Sequence, residues 1–134
     1  VPGSRANIDH IAIAPTGVYV IDAKALSGKV RVKTSLLGKQ ELFVAGRNQT
    51  KLLEGLSRQI AAVREVLGDE HVGIPVRAVL CFTDADLPLL GGRARGHLLL
   101  YRKGLAKELR KDGPLGAAEI RVVGRMLAER LVSA

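Results

Sequence analysis

Tryptophan is absent from this 134-residue chain, and its aromatics amount to two Phe and two Tyr. Single-stranded nucleic acid is usually held on several ring faces in series, so a stacking platform is excluded as the main mode of recognition. With 47% of residues apolar, the core has to be built from Leu, Val, Ile and Ala, an α/β-like composition. One cysteine, Cys81, rules out a disulfide framework within the chain. Its place in the run Val76-Arg77-Ala78-Val79-Leu80-Cys81-Phe82 predicts a buried, unpaired thiol. A reducing, cytoplasmic setting is the corresponding default. No stretch reads as a signal peptide or internal repeat, and no apolar run is long enough to span a bilayer. Gly91-Gly92 and Gly113-Pro114-Leu115-Gly116 fit neither phosphate-cradling glycine pattern, which disfavours an ATPase.

What the chain has in excess is positive charge. Lys and Arg number 21 against 13 Asp and Glu, giving a formal charge of +8 and a pI near 10.2. A polyanionic partner follows, nucleic acid before an anionic membrane. The charge is concentrated in two segments. Lys24 to Arg58 holds eight basic residues against Glu41 and Glu54, and Arg93 to Lys111 holds seven against Glu108. Lys29, Arg31, Lys33, Arg93, Arg95, Arg102 and Lys103 are the candidate phosphate contacts, although such clusters also serve solubility alone. Without interleaved aromatics, the expected mode is backbone contact that does not read sequence.

The length suits one domain over residues 1–134, large enough to bury a real core. A hairpin is expected over residues 8–24. Gly28-Lys29-Val30-Arg31-Val32-Lys33 and Glu41 to Ala45 read as strands with one solvated basic face. A helix is expected from Asn48 or Thr50, either able to cap it, to Leu67, where Gly68 stops it. Val76 to Phe82 reads as an apolar strand, residues 84–96 as a loop and His97 to Leu100 as a short strand. Leu105 to Lys111 and Pro114 to Val132 read as helices. The pattern predicts an α/β fold, a mixed central sheet flanked by helices.

The hairpin carries the chemistry. Ile8-Asp9-His10-Ile11-Ala12-Ile13, a turn at Pro15-Thr16-Gly17 and Val18-Tyr19-Val20-Ile21-Asp22-Ala23-Lys24 each bring one acid into an apolar strand. Alternation puts Val18, Val20, Asp22 and Lys24 on one face. A two- or four-residue loop would set Asp9 opposite Asp22, with Cβ atoms about 5 Å apart. Carboxylates so close in apolar surroundings call for a cation between them. A three-residue loop would instead turn the acids apart unless a bulge restored them. Asp22 and Lys24 also fit a simple salt bridge at a strand end. Gln59 falls on the inward face of the expected helix, either at its edge reaching solvent or as a hydrogen bonder in an active site. His10 should point away from the Asp9 face. His71 and His97 lack ligand-like neighbours, and Asp84 and Asp86 suit turns.

Asp9, Asp22-x-Lys24 and a helical Gln59 resemble the active site of the PD-(D/E)xK nuclease superfamily. More closely, Pro2 to His10, Gly17 to Lys24 and Gly28-Lys29-Val30 resemble the NERD (nuclease-related) domain, with a weaker likeness through Gln59 and Pro75 to Phe82. The resemblance implies a restriction-endonuclease-like core. It also implies that Asp9 and Asp22 bind Mg²⁺ or Mn²⁺, that Lys24 is the catalytic lysine and that Gln59 is an auxiliary site residue. The activity it implies is metal-dependent DNA endonuclease hydrolysis. The alternative is a non-catalytic nucleic-acid-binding or regulatory module retaining the nuclease fold. Related domains carry a further acid on a helix before the first strand; the chain starts at Val1 without that helix, and cleavage is expected to need it.

Overall fold

Val18 to Ile21 and Ala78 to Phe82 offer water no polar face, and both segments are central strands buried on both sides. The computed structural model describes residue 8 and residues 10–88 and 91–132. Its strands are β1 (His10–Ala14), β2 (Gly17–Lys24), β3 (Gly28–Thr34), β4 (Gln40–Val44), β5 (Arg47–Asn48), β6 (Val76–Phe82), β7 (Ala85–Asp86), β8 (Gly92–Ala94) and β9 (His97–Leu100). The helices are α1 (Thr50–Leu67), α2 (Arg102–Leu109) and α3 (Ala117–Val132). A five-stranded sheet runs β1-β2-β6-β9-β8, and a four-stranded sheet runs β5-β4-β3-β7. In the first, β2, β6 and β9 are parallel, and antiparallel β1 and β8 close its edges.

Alternation along β2 divides the core. Val18 and Val20 join Ala78, Leu80 and Phe82 of β6 under α1 and α3. Tyr19 and Ile21 join Val79, Cys81, Leu98 and Leu100 on the other face, against Leu105 and Leu109 of α2. Cys81 is buried and unpaired, as its run predicted. The Tyr19 hydroxyl donates to Glu108 of α2 at 2.8 Å and so fixes that helix to the sheet. No helix among the described residues is long and apolar enough to cross a membrane.

The expected mixed sheet and flanking helices are present; the second sheet is an addition. It forms because β2 and β6 run on, past a break, into β3 and β7. Lys24 pairs with Phe82 and Gly28 with Ala85. Three residues, Ala25-Leu26-Ser27, therefore lie between the ladders on one chain and two, Thr83-Asp84, on the other. The extra residue acts as a bulge that redirects the strands. Across the break, the Thr83 amide donates to the Lys24 carbonyl at 3.0 Å, and Ser27 Oγ donates to Asp84 at 2.6 Å. Asp84 thus makes a tertiary contact across the break, where its sequence suggested a local turn role, and Asp86, read the same way, lies in β7.

Other boundaries moved for local reasons. The segment expected to be a loop over 84–96 contains β7 and β8. A two-residue turn, Arg95-Gly96, joins β8 to β9 with both residues at positive φ, 52° and 78°, as a type I′ hairpin requires. The N-cap of α1 is Gln49; Asn48 accepts the Thr50 amide at 2.9 Å, and the Thr50 hydroxyl accepts the Leu42 amide at 3.0 Å. Gly68 ends α1 as expected. Helix α2 starts at Arg102 and ends at Leu109, and α3 starts at Ala117 because the Leu115 amide is tied to the Pro15 carbonyl at 2.9 Å.

Candidate active site

Pro15 and Thr16 close the hairpin as a two-residue loop, with His10 opposite Ile21, Ile11 opposite Val20 and Ala14 opposite Gly17. The three-residue alternative is thereby excluded. Asp9 lies outside the described residues. Ile11, Ile13, Val18 and Val20 pack on the α1/α3 side, and alternation carries Asp22 and Lys24 to that same side. His10 is exposed at the start of β1.

Asp22 is only 9% exposed, at the ladder position of Leu80. Lys24, one step further along that face, brings Nζ to 3.5 Å from Asp22 Oδ1. Residues two apart on a strand are separated by nearly 7 Å of rise, about what a folded-back lysine can bridge. The lysine side chain keeps 35% exposure against 12% for the aspartate. Both residues sit at the carboxyl end of β2, next to the carboxyl end of parallel β6. In open α/β sheets that end is where ligands bind.

Gln59 is 7% exposed, between Leu56 and Val63 on the face of α1 that packs on β2 and β6. Burial removes the reading of this amide as an edge residue reaching solvent. Gln59, Asp22 and Lys24 thus belong to one side of the sheet. Among the described residues, no three His, Cys, Asp or Glu side chains group so as to hold a metal ion.

The basic candidates are spread over several surfaces. Lys29, Arg31 and Lys33 are exposed at alternate positions of β3, with Val30 buried between the first two. Lys33 Nζ lies 4.4 Å from the centre of the Phe43 ring, a favourable cation–π distance. Arg93 is exposed in β8. Arg95 joins the two sheets, because its amide and its Nε both donate to Gln40, at 2.5 and 2.8 Å. Arg102 and Lys103 are exposed on the first turn of α2. There they add to the positive end of the helix dipole instead of offsetting it.

Sequence reasoning passed over His97. It is buried, and its Nε2 lies 2.9 Å from Ser57 Oγ of α1. Burial, with Arg95 nearby, holds the imidazole below its ordinary range. Ser57 Oγ also lies 3.2 Å from the Leu53 carbonyl oxygen, and which member of the Ser57–His97 pair donates is set by the imidazole tautomer. The contact ties α1 to β9. Forty residues of sequence separation gave no signal for it.

A family model described as nuclease-related domain matches residues 1–83. Those residues include both strands of the hairpin, β3 to β5, the whole of α1 and all of β6. No curated protein and no solved structure matches the chain.

Proposed function

The chain belongs to the NERD (nuclease-related domain) family, and from that membership we propose that it is a Mg²⁺-dependent endonuclease that hydrolyses phosphodiester bonds in DNA. Residues 1–134 act as one domain in this reading. Asp9 and Asp22 are the metal ligands, Lys24 is the catalytic lysine and Gln59 is an auxiliary site residue. The observation that carries it is the Asp22–Lys24 pair, 3.5 Å apart on the α1-facing side of β2. Mg²⁺ takes hard oxygen donors and is commonly held by one or two carboxylates together with water and substrate phosphate. The buried Asp22 carboxylate is a donor of that kind, which supports the reading; Mn²⁺ accepts the same donors. When bound, such an ion supplies a more acidic water and neutralises phosphoryl charge.

Lys24 is placed to orient or deprotonate the water, or to stabilise charge that develops on the phosphate. Gln59 offers a neutral amide that can donate or accept without altering the charge of the site. The exposed cations on β3, β8 and α2 supply contacts to the phosphate backbone. DNA is the proposed polymer.

The test is plasmid nicking by the protein with Mg²⁺, Mn²⁺ or EDTA. Asp22→Ala and Lys24→Ala are expected to lower cleavage by about 100-fold or more while duplex binding persists. Undiminished cleavage by Asp22→Ala, or cleavage in EDTA, refutes the assignment. One observation favours a second reading, the non-catalytic nucleic-acid-binding or regulatory module: the Asp22–Lys24 contact is already a salt bridge. Duplex binding with no cleavage under any metal condition selects that reading.

A further inference from the structure

The two most exposed large apolar side chains among the described residues are neighbours. Leu36 and Leu37, at 106% and 97% exposure, occupy the tip of the β3–β4 hairpin. Isolated surface leucines are ordinary, but an adjacent pair held wholly in water on a ribbon tip needs a reason. The tip is also ordered. The Ser35 amide donates to the Lys39 carbonyl at 2.8 Å, the Gly38 amide to the Ser35 carbonyl at 2.9 Å and the Lys39 amide to Ser35 Oγ at 3.0 Å. An apolar point fixed in this way loses little conformational freedom when it is buried by a partner.

The ribbon behind the tip has one buried and one open face. Val30, Leu42 and Val44 are buried on the first. The second carries Lys33, Arg31 and Lys29 in a row leading away from the leucines. Between Gly28 and Asn48 there are five basic residues and one acid, Glu41. Alternate residues of a strand are separated by about 6.7 Å. Phosphates along one DNA strand advance about 3.4 Å each along the helix axis while winding around it, which puts neighbouring phosphates about 7 Å apart through space, so the row matches successive phosphates.

We propose that the β3–β4 hairpin is a duplex-distorting arm in which Lys29, Arg31 and Lys33 grip the backbone while Leu36 and Leu37 wedge between base pairs. The arm rests on the reading of DNA as partner, and adds that the protein holds its DNA bent and locally unstacked. Leucine is among the side chains able to open a base step from the minor groove, at a cost recovered through wider contact with the bent duplex. An anionic membrane is the less fitting occupant. Membrane-inserting segments keep their charges at the level of the interface with aromatic anchors beside them. Here Lys39 lies within the tip, but Lys33, Arg31 and Lys29 recede from it over about 13 Å, and the tip has no aromatic residue.

The test uses the whole chain in EDTA, so that cleavage does not enter the signal. Protein is titrated into duplexes carrying 2-aminopurine at successive positions and a fluorophore pair at the ends. The expected result is a several-fold rise in 2-aminopurine emission at one step, with the ends drawn together. In the Leu36→Ser, Leu37→Ser double variant both signals should vanish and affinity should fall about tenfold, with the salt slope unchanged. In the Lys29→Gln, Arg31→Gln, Lys33→Gln variant the salt slope should fall by about 2 to 3. Thermal melts establish that both variants, altered only at exposed positions, remain folded. Salt-dependent binding without emission change, or a double variant identical to wild type, overturns the wedge and leaves the DNA reading intact. Absence of salt-dependent duplex binding overturns both. Leucine-dependent sedimentation with phosphatidylserine vesicles, without unstacking of DNA, assigns the tip to a membrane and also overturns the proposal.

Discussion

Tyr19→Phe removes one oxygen atom and tests how α2, which carries Arg102 and Lys103, is held to the sheet. The ring is fully buried and stays in place. What is lost is the hydroxyl that donates to Glu108 Oε2 at 2.8 Å and lies 2.6 Å from Thr16 Oγ1. A phenol has one hydrogen, so Thr16 is the donor in the second bond. A neutral hydrogen bond is worth about 1 kcal/mol net, and one to a charged group about 1.5–3 kcal/mol. Glu108 retains Lys111 at 2.8 Å, and its side chain is 15% exposed, so water replaces part of what the carboxylate loses. Thr16, partly exposed, also turns to water. The expected loss is therefore about 2 kcal/mol instead of the full sum. At an unfolding entropy of about 2.1 cal/mol/K per residue, this lowers Tm by about 7 °C for a chain of this length.

The acid dependence makes the test specific. Burial raises the Glu108 carboxyl, but the hydrogen bonds from Lys111 and Tyr19 outweigh that effect and hold it below the ordinary value of 4.5. A carboxyl lowered in the folded state contributes stability that is fully present above pH 4.5 and is lost as pH falls through its folded value. Burial pushes the Tyr19 phenol up, so it remains the donor throughout that range. Melting temperatures of wild type and Tyr19→Phe, followed by circular dichroism from pH 7 downward, should thus converge in acid. A Tm loss under about 2 °C at pH 7, or an offset that stays constant into acid, refutes the assigned coupling.

Two further substitutions probe the frame around the site. Gly17→Ala should cost about 3 kcal/mol or more in urea unfolding, since Gly17 has φ of 141° and an added Cβ would lie 2.5 Å from the Pro75 carbonyl oxygen; a loss under about 1 kcal/mol would mean that the β2–β6 pairing relaxes freely. His97 is held below 6.5 by burial and by Arg95, so its contribution is fully present above pH 6.5 and is lost as pH falls through the lower folded value; His97→Gln should remove that limb from the pH–stability profile, and an unchanged profile would place it on another group.

The parts of the fold that could be read in the sequence are those governed by one dominant force. The apolar runs of β2 and β6 had to be buried on both faces, and the basic alternation of β3 had to leave one face in water. The inward stripe of α1 and its stop at Gly68 followed from helical periodicity. The failures occurred where tertiary contacts select among local options. Ala45 and Arg95 take positive φ in two-residue turns, at 53° and 52°, although neither residue type signals such a turn. Nothing local marked the additional residue in Ala25-Leu26-Ser27 relative to Thr83-Asp84, yet it separates one sheet from two. At the site, period-two alternation was enough to place Asp22 and Lys24 on one face, whereas the burial of Gln59 needed the helix docked on the sheet.

That additional residue also bears on how the proposed chemistry and grip are combined. Asp22 and Lys24 end one ladder and Lys29 lies within the next, on the same continuous chain. Five residues from Lys24 to Lys29 span at most about 18 Å even when fully extended, and the Thr83 and Asp84 contacts across the break tie the link down. The cations of β3 thus cannot drift far from the carboxylate of β2, and a phosphate backbone held along the row is presented close to the end of the parallel strands. A flexible linker would have left gripping and cleavage to meet by diffusion. A bulge between two paired strands fixes their separation, so strength of binding along the ribbon would translate into position at Asp22.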